Sequence, residues 1–390
     1  MDNFQKLNRE RKMSEKHIIK DFKHQVGVHC ESSSMRDMFE FYRFPMSEAM
    51  AFGLDGTLGF GFFDGSANFT GTEGATLPLF IGGKQDTINP NSLACRLLGI
   101  TLRKQSFTSA DKAWEESTKL LLQDIPLMLQ VDLYYLDYMD FEESIHFGGH
   151  FITLVGYDES KGIAYIGDTE YEDFQEVSLE NLKKARSSEH GPSFLHPKNA
   201  QYSMNRRSDG KYPPLAAGVK LAIQKAVNHM LRPSLSNNGL QGLTNFAESI
   251  LTWDQSFNKI VKSPYDQKEY SLARLNFELI PGYIEEWGTG GASFRNLYKS
   301  FLEEISTTSI CKEGPKAWTN EEIGIIDECI PMITQSATQW TEFANILKDT
   351  AETYKNECLE HVNLEELSDL ILSIRNVEEE LFRNLLKIKI

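Results

Sequence analysis

One segment constrains the fold of this chain more than any other, the stretch GGHFITLVGYDESKGIAYIGD at residues 148–168. It contains two apolar runs, 150–157 and 163–168, rich in the β-branched and aromatic residues that are typical of strands. The polar residues between them, 158–162, end in Gly162 and are typical of a hairpin loop. The segment therefore predicts two neighbouring antiparallel strands.

The rest of the chain divides into a mixed part and a helical part. A further strand with alternating apolar residues is predicted to follow Pro126. After residue 214, apolar residues recur at spacings of three and four, which predicts helices. We therefore expect an α+β fold in four regions: a polar tail or helix at 1–21, a domain with an antiparallel sheet at 22–185, a linker or loop at 186–214 and an all-α domain at 215–390.

Charge bears on the kind of partner this chain can bind. Its formal net charge is −16, and a field of that sign repels nucleic acids and anionic membranes but attracts amines. No stretch reaches the roughly 18 consecutive apolar residues of a membrane span, and the charged N-terminus has no apolar signal core. The 5 cysteines form no CxxC pair, which is typical of reduced thiols. We expect a cytoplasmic protein that binds neither nucleic acid nor membrane.

Cys30 is the first candidate for chemistry. Gly27 precedes it, and an amphipathic pattern follows it through residues 35–42, so Cys30 is predicted to lie at or near a helix N-terminus. The unpaired N–H groups and the dipole at such an end favour a thiolate, which is the nucleophilic form. The alternative is a small buried residue that begins a core helix.

His150 and Asp168 are the candidate partners of that thiol. If Gly156 faces Gly162 in the hairpin, residue numbers of each pair sum to 318, and His150 directly faces Asp168. Directly opposed residues share a face of the sheet, which suits a carboxylate that orients an imidazole. A one-residue slip would place them on opposite faces, and each could simply end its strand.

Two other motifs are weaker. His146 and His150 have HxxxH spacing, but Phe147-Gly148-Gly149 between them is a poor helix and no further cysteine or HExxH motif completes a zinc site, so we predict no metal. The loop WGTGGASFR at 287–295 runs into a helix but lacks the P-loop lysine. Arg295, in the first helical turn, is a candidate for binding a ligand carboxylate.

Several of these motifs together resemble the butirosin biosynthesis protein H family. They are HQVGVHCESSS (24–34), FPMSEAMAFGLDGTLGF (44–60), LACRLLGI (93–100), Val131-Asp132 and the hairpin segment. GTGGASFRNLYKSFLEE (288–304) resembles the helical domain of unknown function that follows in that family.

This resemblance implies a papain-like, bacteriocin-peptidase-like cysteine fold for residues 22–185. By motif, the nucleophile, base and orienting acid fall on Cys30, His150 and Asp168. Papain-like enzymes also place a glutamine before the cysteine to bind the oxyanion, and Gln25 is the nearest match, one residue closer than in papain. Glu48 matches a family motif and is a candidate for substrate binding, the alternative being a first-turn acid of a helix.

The resemblance also implies an activity, since the family's named member moves an acyl group from a carrier-protein thioester to an aminoglycoside amine. We therefore expect a cofactor-free acyltransferase of specialised metabolism whose partners are an acyl carrier protein, or another thioester donor, and a small amine acceptor. A cysteine peptidase or amidase, and a non-catalytic binding protein, are the alternatives. An acidic carrier would need a basic patch, for which the candidates are Lys198, Arg206, Arg207 and Lys211.

Overall fold

The structure is a computed structural model that describes residues 15–64, 79–139, 146–191, 193–206, 214–262, 268–309 and 311–390. Of the predicted N-terminal tail only residues 15–21 fall within these ranges. Within the described ranges, no helix combines the length and the apolar character needed to cross a bilayer.

An antiparallel sheet organises the first half of the chain, which confirms the predicted α+β class. Its strands are β1 (Lys16–Ile18), β4 (Ile100–Gln105), β5 (Leu127–Val131), β6 (His150–Asp158), β7 (Ile163–Gly167), β8 (Gln175–Ser178) and β9 (Gln201–Arg206). They lie in the order β4-β9-β5-β6-β7-β8, and β1 pairs with the C-terminal end of β6. A separate antiparallel ribbon consists of β2 (Leu58–Phe63) and β3 (Phe80–Lys84).

Two of the predicted region boundaries are wrong. Residues 201–206, inside the predicted linker, form strand β9, which pairs with both β4 and β5 and so lies within the sheet. Residues 16–18, inside the predicted tail, form strand β1. Both stretches find their hydrogen-bond partners far away in sequence, where local periodicity carries no signal.

The predicted hairpin is present, but its register differs from the expected one. Near the turn Asp158 pairs with Ile163, a sum of 321, whereas beyond an irregularity between Leu154 and Gly156 the pair Leu154 and Ile166 sums to 320. Such a bulge adds one residue to a strand and reverses which face the following side chains occupy. The shift places Asp168 on the face of His150, diagonally rather than directly opposite.

Five helices accompany the sheet. They are α1 (Cys30–Phe41), α2 (Glu48–Asp55), α3 (Leu93–Leu97), α4 (Ala110–Leu121) and α5 (Leu179–Ser187). Serines cap α2, α3, α4 and α5, each accepting a hydrogen bond from a backbone N–H of the first turn, which satisfies a donor that the helix itself leaves free. Helix α1 packs against β6, which brings the N-terminus of α1 to the strand that carries His150.

The chain from residue 215 onward is helical, as predicted, apart from a small ribbon of β10 (Ile260–Lys262) and β11 (Glu269–Ser271). Its helices are α6 (Ala216–Leu231), α7 (Gly239–Ile250), α8 (Trp253–Ser256), α9 (Leu272–Pro281), α10 (Arg295–Thr307), α11 (Asn320–Tyr354) and α12 (Leu364–Leu385). Thr319 and Glu322 form a reciprocal capping box that fixes the start of the long helix α11.

The two halves share one core. The ribbon of β2 and β3 packs against α7, and helix α2 packs against α6 and α10, so elements of the first half lie among helices of the second. Buried apolar side chains run without interruption from one half to the other. The helical domain is therefore in direct contact with the elements that carry the candidate site.

Candidate active site

Cys30 is the first residue of α1, as the sequence predicts. The preceding residue, His29, is the N-cap, and its side chain accepts a hydrogen bond from the Ser32 N–H. Cys30 is partly exposed, whereas the other four cysteines are buried. Burial raises the pKa of those four thiols, to about 12 for Cys95, Cys311 and Cys329 and to about 11 for Cys358. Cys30 is thus the accessible thiol of this chain.

His150 and Asp168 lie together at the mouth of the hairpin. The His150 Nε2 atom is 2.9 Å from both carboxylate oxygens of Asp168. Asp168 is 1% exposed, and it also accepts hydrogen bonds from the Tyr138 hydroxyl at 2.6 Å and the Thr169 N–H at 2.7 Å. With Nε2 held by Asp168, the other ring nitrogen of His150 is left for a further partner, and Cys30 lies near enough to raise the pKa of His150.

Electrostatics favour a charged pair here. Burial lowers the pKa of His150, but the Asp168 carboxylate and the Cys30 sulfur outweigh it, and the pKa ends well above its ordinary value. Burial raises the pKa of Asp168, but the His150 ring and the two hydrogen-bond donors reverse this, and the pKa ends below its ordinary value. Both shifts favour a protonated His150 beside an ionised Asp168.

His24, which sequence analysis did not single out, joins the second half of α1 to the end of the hairpin. Its Nδ1 is 2.7 Å from the buried carboxylate of Asp37, and its Nε2 is 3.0 Å and 2.9 Å from the carbonyl oxygens of Asp168 and Tyr171. Because both ring nitrogens face oxygen acceptors, the ring is placed to donate from both. Burial lowers the pKa of His24, but Asp37 outweighs it and the pKa is raised.

A second connection runs through Thr169. Its carbonyl oxygen accepts a hydrogen bond from the Gly27 N–H at 2.8 Å, and its hydroxyl is 3.0 Å from that of Ser33. A side chain at Gly27 would collide with Ser33, so the close approach requires glycine. These contacts join the segment before Cys30 and the first turn of α1 to the residue after Asp168, and short polar residues of this kind give no recognisable spacing in sequence.

Glu48, the candidate for substrate binding, has a carboxylate that accepts hydrogen bonds from other groups of the protein. One carboxylate oxygen accepts hydrogen bonds from the His29 N–H at 2.9 Å and the Ser32 hydroxyl at 2.8 Å, and the other from the Val28 N–H at 2.9 Å. The side chain is 9% exposed. Glu48 therefore holds the segment that leads into Cys30, and the structure does not offer its carboxylate to a ligand.

Gln25 is not brought to the thiol. Its side-chain amide donates to Glu40 at 2.9 Å on the surface. Glu40 follows Cys30 by 10 residues in the same helix, so at 1.5 Å per residue the amide lies about 15 Å along the axis from the nucleophile. The oxyanion role predicted for Gln25 by analogy with papain is thus wrong.

Arg295 is not placed at a ligand site either. It is fully buried, and its guanidinium donates to both carboxylate oxygens of Glu378 at 2.8 Å and 2.9 Å and to the Ser293 carbonyl at 2.8 Å. A buried guanidinium needs such a bidentate partner. Arg295 is a structural cation of the helical domain.

The loop before Arg295 contributes a wall beside the candidate site. The aromatic ring of Phe294 meets the His29 ring edge-on at 5.0 Å, and a side chain at Gly290 would collide with Val28. Ala292, Ser293 and Phe294 all have positive φ values, between 50° and 70°. For L-residues this conformation costs roughly 1–2 kcal/mol each, so packing holds the loop in a strained form.

Comparison with known proteins finds two family matches along the chain. One family profile, described as butirosin biosynthesis protein H, N-terminal, matches residues 29–169, and another, a domain of unknown function (DUF4872), matches residues 180–385. The chain belongs to the butirosin biosynthesis protein H family. A search of curated proteins found no match to it. The family relates this chain to proteins of antibiotic biosynthesis.

In this member of the butirosin biosynthesis protein H family, the first matched stretch ends one residue after Asp168 and includes all three residues of the candidate triad. The second stretch includes Arg295 and Glu378. It also includes strand β9, although that strand belongs to the sheet of the first half.

The two histidines considered as metal ligands face different partners. His146 Nδ1 lies 2.8 Å from Asp132, and its ring stacks on His190 at 3.7 Å, whereas His150 faces Asp168. Among the residues that the structure describes, no three histidine, cysteine, aspartate or glutamate side chains cluster as a metal site would require. The buried Asp132 fixes the loop that leads into β6 by also accepting from the Phe147 N–H at 3.0 Å.

Proposed function

We propose that this protein is a cysteine-dependent acyltransferase that moves an acyl group from a thioester to an amine. One observation carries the proposal: His150 is held at 2.9 Å by the buried Asp168, and the partly exposed Cys30, first residue of α1, lies near enough to His150 to raise its pKa. A thiol nucleophile needs an adjacent base, and the base needs an orienting group. We assign these three roles to Cys30, His150 and Asp168.

The reaction has two balanced steps. In the first, the Cys30 thiol gives its proton to His150 and attacks the carbonyl carbon of the thioester. A carbon–sulfur bond to Cys30 forms, the bond to the donor sulfur breaks, and His150 returns the proton to the departing thiolate. In the second, the amine attacks the acyl carbon on Cys30, and its proton passes through His150 to the released sulfur. The outcome is one amide, with no oxidation or reduction and no cofactor.

The surroundings of the triad support acyl transfer to an amine. Asp168 keeps the His150 ring in place while the ring changes charge, which preserves the geometry between the two steps. The net charge of −16 favours a cationic acceptor over an anionic one. A carrier-protein donor is acidic as a class, so it would have to dock away from most of this surface.

The basic residues predicted for such docking are only partly described. The Arg206 guanidinium donates to the Tyr42 carbonyl at 2.8 Å and stacks over the Phe44 ring at 4.2 Å, so it is tied into the fold. Arg207 and Lys211 lie outside the described residues. A pantetheine thioester is therefore the simpler donor for a first assay.

The test is to expose the protein to an acyl-pantetheine and look for the acyl mass by peptide mass spectrometry. We expect the mass on the peptide that contains Cys30, and none in Cys30→Ala. His150→Ala should slow acylation by about 10²- to 10⁴-fold, the usual contribution of a general base. Cys311→Ala, which removes a buried thiol far from the triad in sequence, is the matched control and should acylate like the wild type.

The second half of the test distinguishes transfer from hydrolysis. A polyamine or an aminoglycoside added to the isolated acyl-enzyme should discharge it faster than buffer alone. Discharge at the same rate with and without amine would indicate a hydrolase that uses water instead. Full turnover in Cys30→Ala would reject the nucleophile.

A further inference from the structure

The loop that joins the helical domain to the candidate site has an unusual backbone. Six of the seven residues from 288 to 294 have positive φ values, and three of them, Ala292, Ser293 and Phe294, are not glycine. A run of consecutive L-residues in the left-handed region is sterically disfavoured and persists only where surrounding contacts enforce it. We call residues 290–294 the left-handed turn.

A buried ion pair of the helical domain enforces this turn. Arg295 donates to the Ser293 carbonyl at 2.8 Å and binds Glu378 of α12 through two hydrogen bonds. Glu378 in turn accepts from the Ser336 hydroxyl at 2.6 Å, and both ionic side chains are completely buried. The Ser293 carbonyl is therefore held by the Arg295 guanidinium. That guanidinium is held by Glu378 of α12, which also accepts a hydrogen bond from α11.

On one side, the left-handed turn contacts the residues just before Cys30. The Phe294 ring meets the His29 ring edge-on, with centroids 5.0 Å apart and an angle of 88° between the ring planes. The Phe294 ring also stacks on the Phe52 ring, with centroids 5.4 Å apart. Gly290 lies so close to Val28 that an added side chain would come within 2.9 Å of Val28 Cγ2. The turn thus packs against Val28 and His29, the two residues that precede Cys30.

On the other side, the turn reaches the residue just after Cys30 through strand β3. A side chain at Gly83 would lie 2.2 Å from the Ser293 carbonyl oxygen, so the two backbones are in contact. The next residue, Lys84, donates to Glu31 at 2.5 Å in a largely buried ion pair. The residues on either side of Cys30, His29 and Glu31, are therefore both connected to the left-handed turn.

We infer that the helical domain completes the cysteine site, because the Arg295–Glu378 pair holds the left-handed turn that sets the position of Cys30 relative to His150. Arg295 and Glu378 are positioning residues, and they touch no reacting atom. The inference rests on Cys30 being the nucleophile of the proposed function. It assigns to the domain of unknown function a part in the chemistry of its neighbour.

The test replaces the pair with apolar side chains in the double variant Arg295→Met/Glu378→Leu. Exchanging a buried ion pair for apolar residues of similar volume is often neutral or stabilising, so the double variant should unfold at a temperature close to that of the wild type. It leaves the Ser293 carbonyl without its donor. The readout is the rate at which iodoacetamide labels Cys30 in the absence of substrate, followed across pH.

We expect labelling of Cys30 to slow by up to about 100-fold, because a misplacement of about 1 Å can cost about 10²-fold in rate, with a changed dependence on pH. The matched control is Ile371→Ala, which removes a buried side chain about two turns earlier in α12. This control should lower the unfolding temperature but label Cys30 as the wild type does.

A double variant that is folded and labels Cys30 at the wild-type rate and pH dependence would overturn the inference. The proposed function is judged separately, by acyl transfer from the pantetheine donor in the wild type. Labelling that depends on the ion pair in a protein that transfers no acyl group would reject that function and keep the positioning.

Discussion

In the variant Glu48→Gln, one oxygen that holds the segment before Cys30 becomes an amide nitrogen. The carboxylate accepts three hydrogen bonds, from the N–H groups of Val28 and His29 and from the Ser32 hydroxyl. A glutamine oxygen can keep the two bonds to His29 and Ser32, but its NH₂ group then points at the Val28 N–H, and two donors face each other. The start of α1 loses one anchor and keeps two weaker ones.

The cost can be estimated from these contacts. A hydrogen bond to a charged group contributes about 1.5–3 kcal/mol and a neutral one about 0.5–1.5 kcal/mol. Losing one bond and neutralising two should therefore lower the free energy of unfolding by about 3.5–6 kcal/mol. Glu40→Gln is the matched control, since Glu40 bonds to Lys23 and Gln25 near the surface, and such pairs are worth less than about 1 kcal/mol.

Denaturant unfolding measures the stability of both variants, and iodoacetamide labelling reports on Cys30 without substrate. If Glu48 positions the nucleophile, Glu48→Gln should label Cys30 more slowly than both the wild type and Glu40→Gln. Wild-type stability and labelling, combined with a raised KM in the acyl-transfer assay, would instead establish the substrate-binding role that the sequence predicted.

Two further variants, Asp168→Asn and Ser293→Gly, test the candidate site and the left-handed turn beside it. Asp168→Asn should lower the pKa of His150 in an NMR titration, because burial then acts without the opposing carboxylate; an unchanged pKa would contradict the contact. In the wild type the raised pKa of His150 means that its stabilising contribution is complete below its unfolded pKa of about 6.5 and is lost as pH rises through the folded value. The lowered pKa of Asp168 acts in reverse, with its contribution present above its unfolded pKa of about 3.9 and lost as pH falls through the folded value, and denaturant unfolding across pH checks both signs. Ser293→Gly should raise the free energy of unfolding by about 1 kcal/mol, since it removes left-handed strain and a buried hydroxyl with no hydrogen-bond partner among the described residues. Ser300→Gly, an exposed position in the middle of α10, is the control and should lower the free energy of unfolding by about 0.5 kcal/mol. An equal decrease in Ser293→Gly would show that the backbone at Ser293 is not strained.

The hairpin shows what sequence could and could not provide. Its two strands and its loop follow from local composition, and the structure places them where the pattern predicts. The pairing does not follow, because a bulge between Leu154 and Gly156 leaves no mark on the alternation of apolar residues. The predicted sum of 318 and the observed sum of 320 are both even, so His150 and Asp168 share a face in either register. The contact was predicted through a register that the protein does not adopt.

The misplaced site residues share a physical cause. Arg295 follows a glycine-rich loop at a helix start, a pattern typical of an exposed ligand site, but its partner Glu378 is 83 positions further along the chain. Gln25 was placed by its spacing to Cys30, whereas the path of the chain before α1 turns its amide toward Glu40. In both cases the position of the side chain is decided by a partner on another part of the chain, and no local pattern encodes such a pairing.

The boundary between the two family matches does not divide this chain into two folding units. Strand β9 lies in the second matched stretch, 180–385, yet it is inserted between β4 and β5 of the first half's sheet. A fragment ending at residue 185 would lack that strand, leaving β5 exposed along one edge and β4 without the partner that the structure gives it. In the other direction, the ribbon of β2 and β3 is packed on the helices rather than on the sheet. Each half therefore supplies part of the other's core, and this interleaving gives the helical domain a fixed place from which a loop can set the position of Cys30.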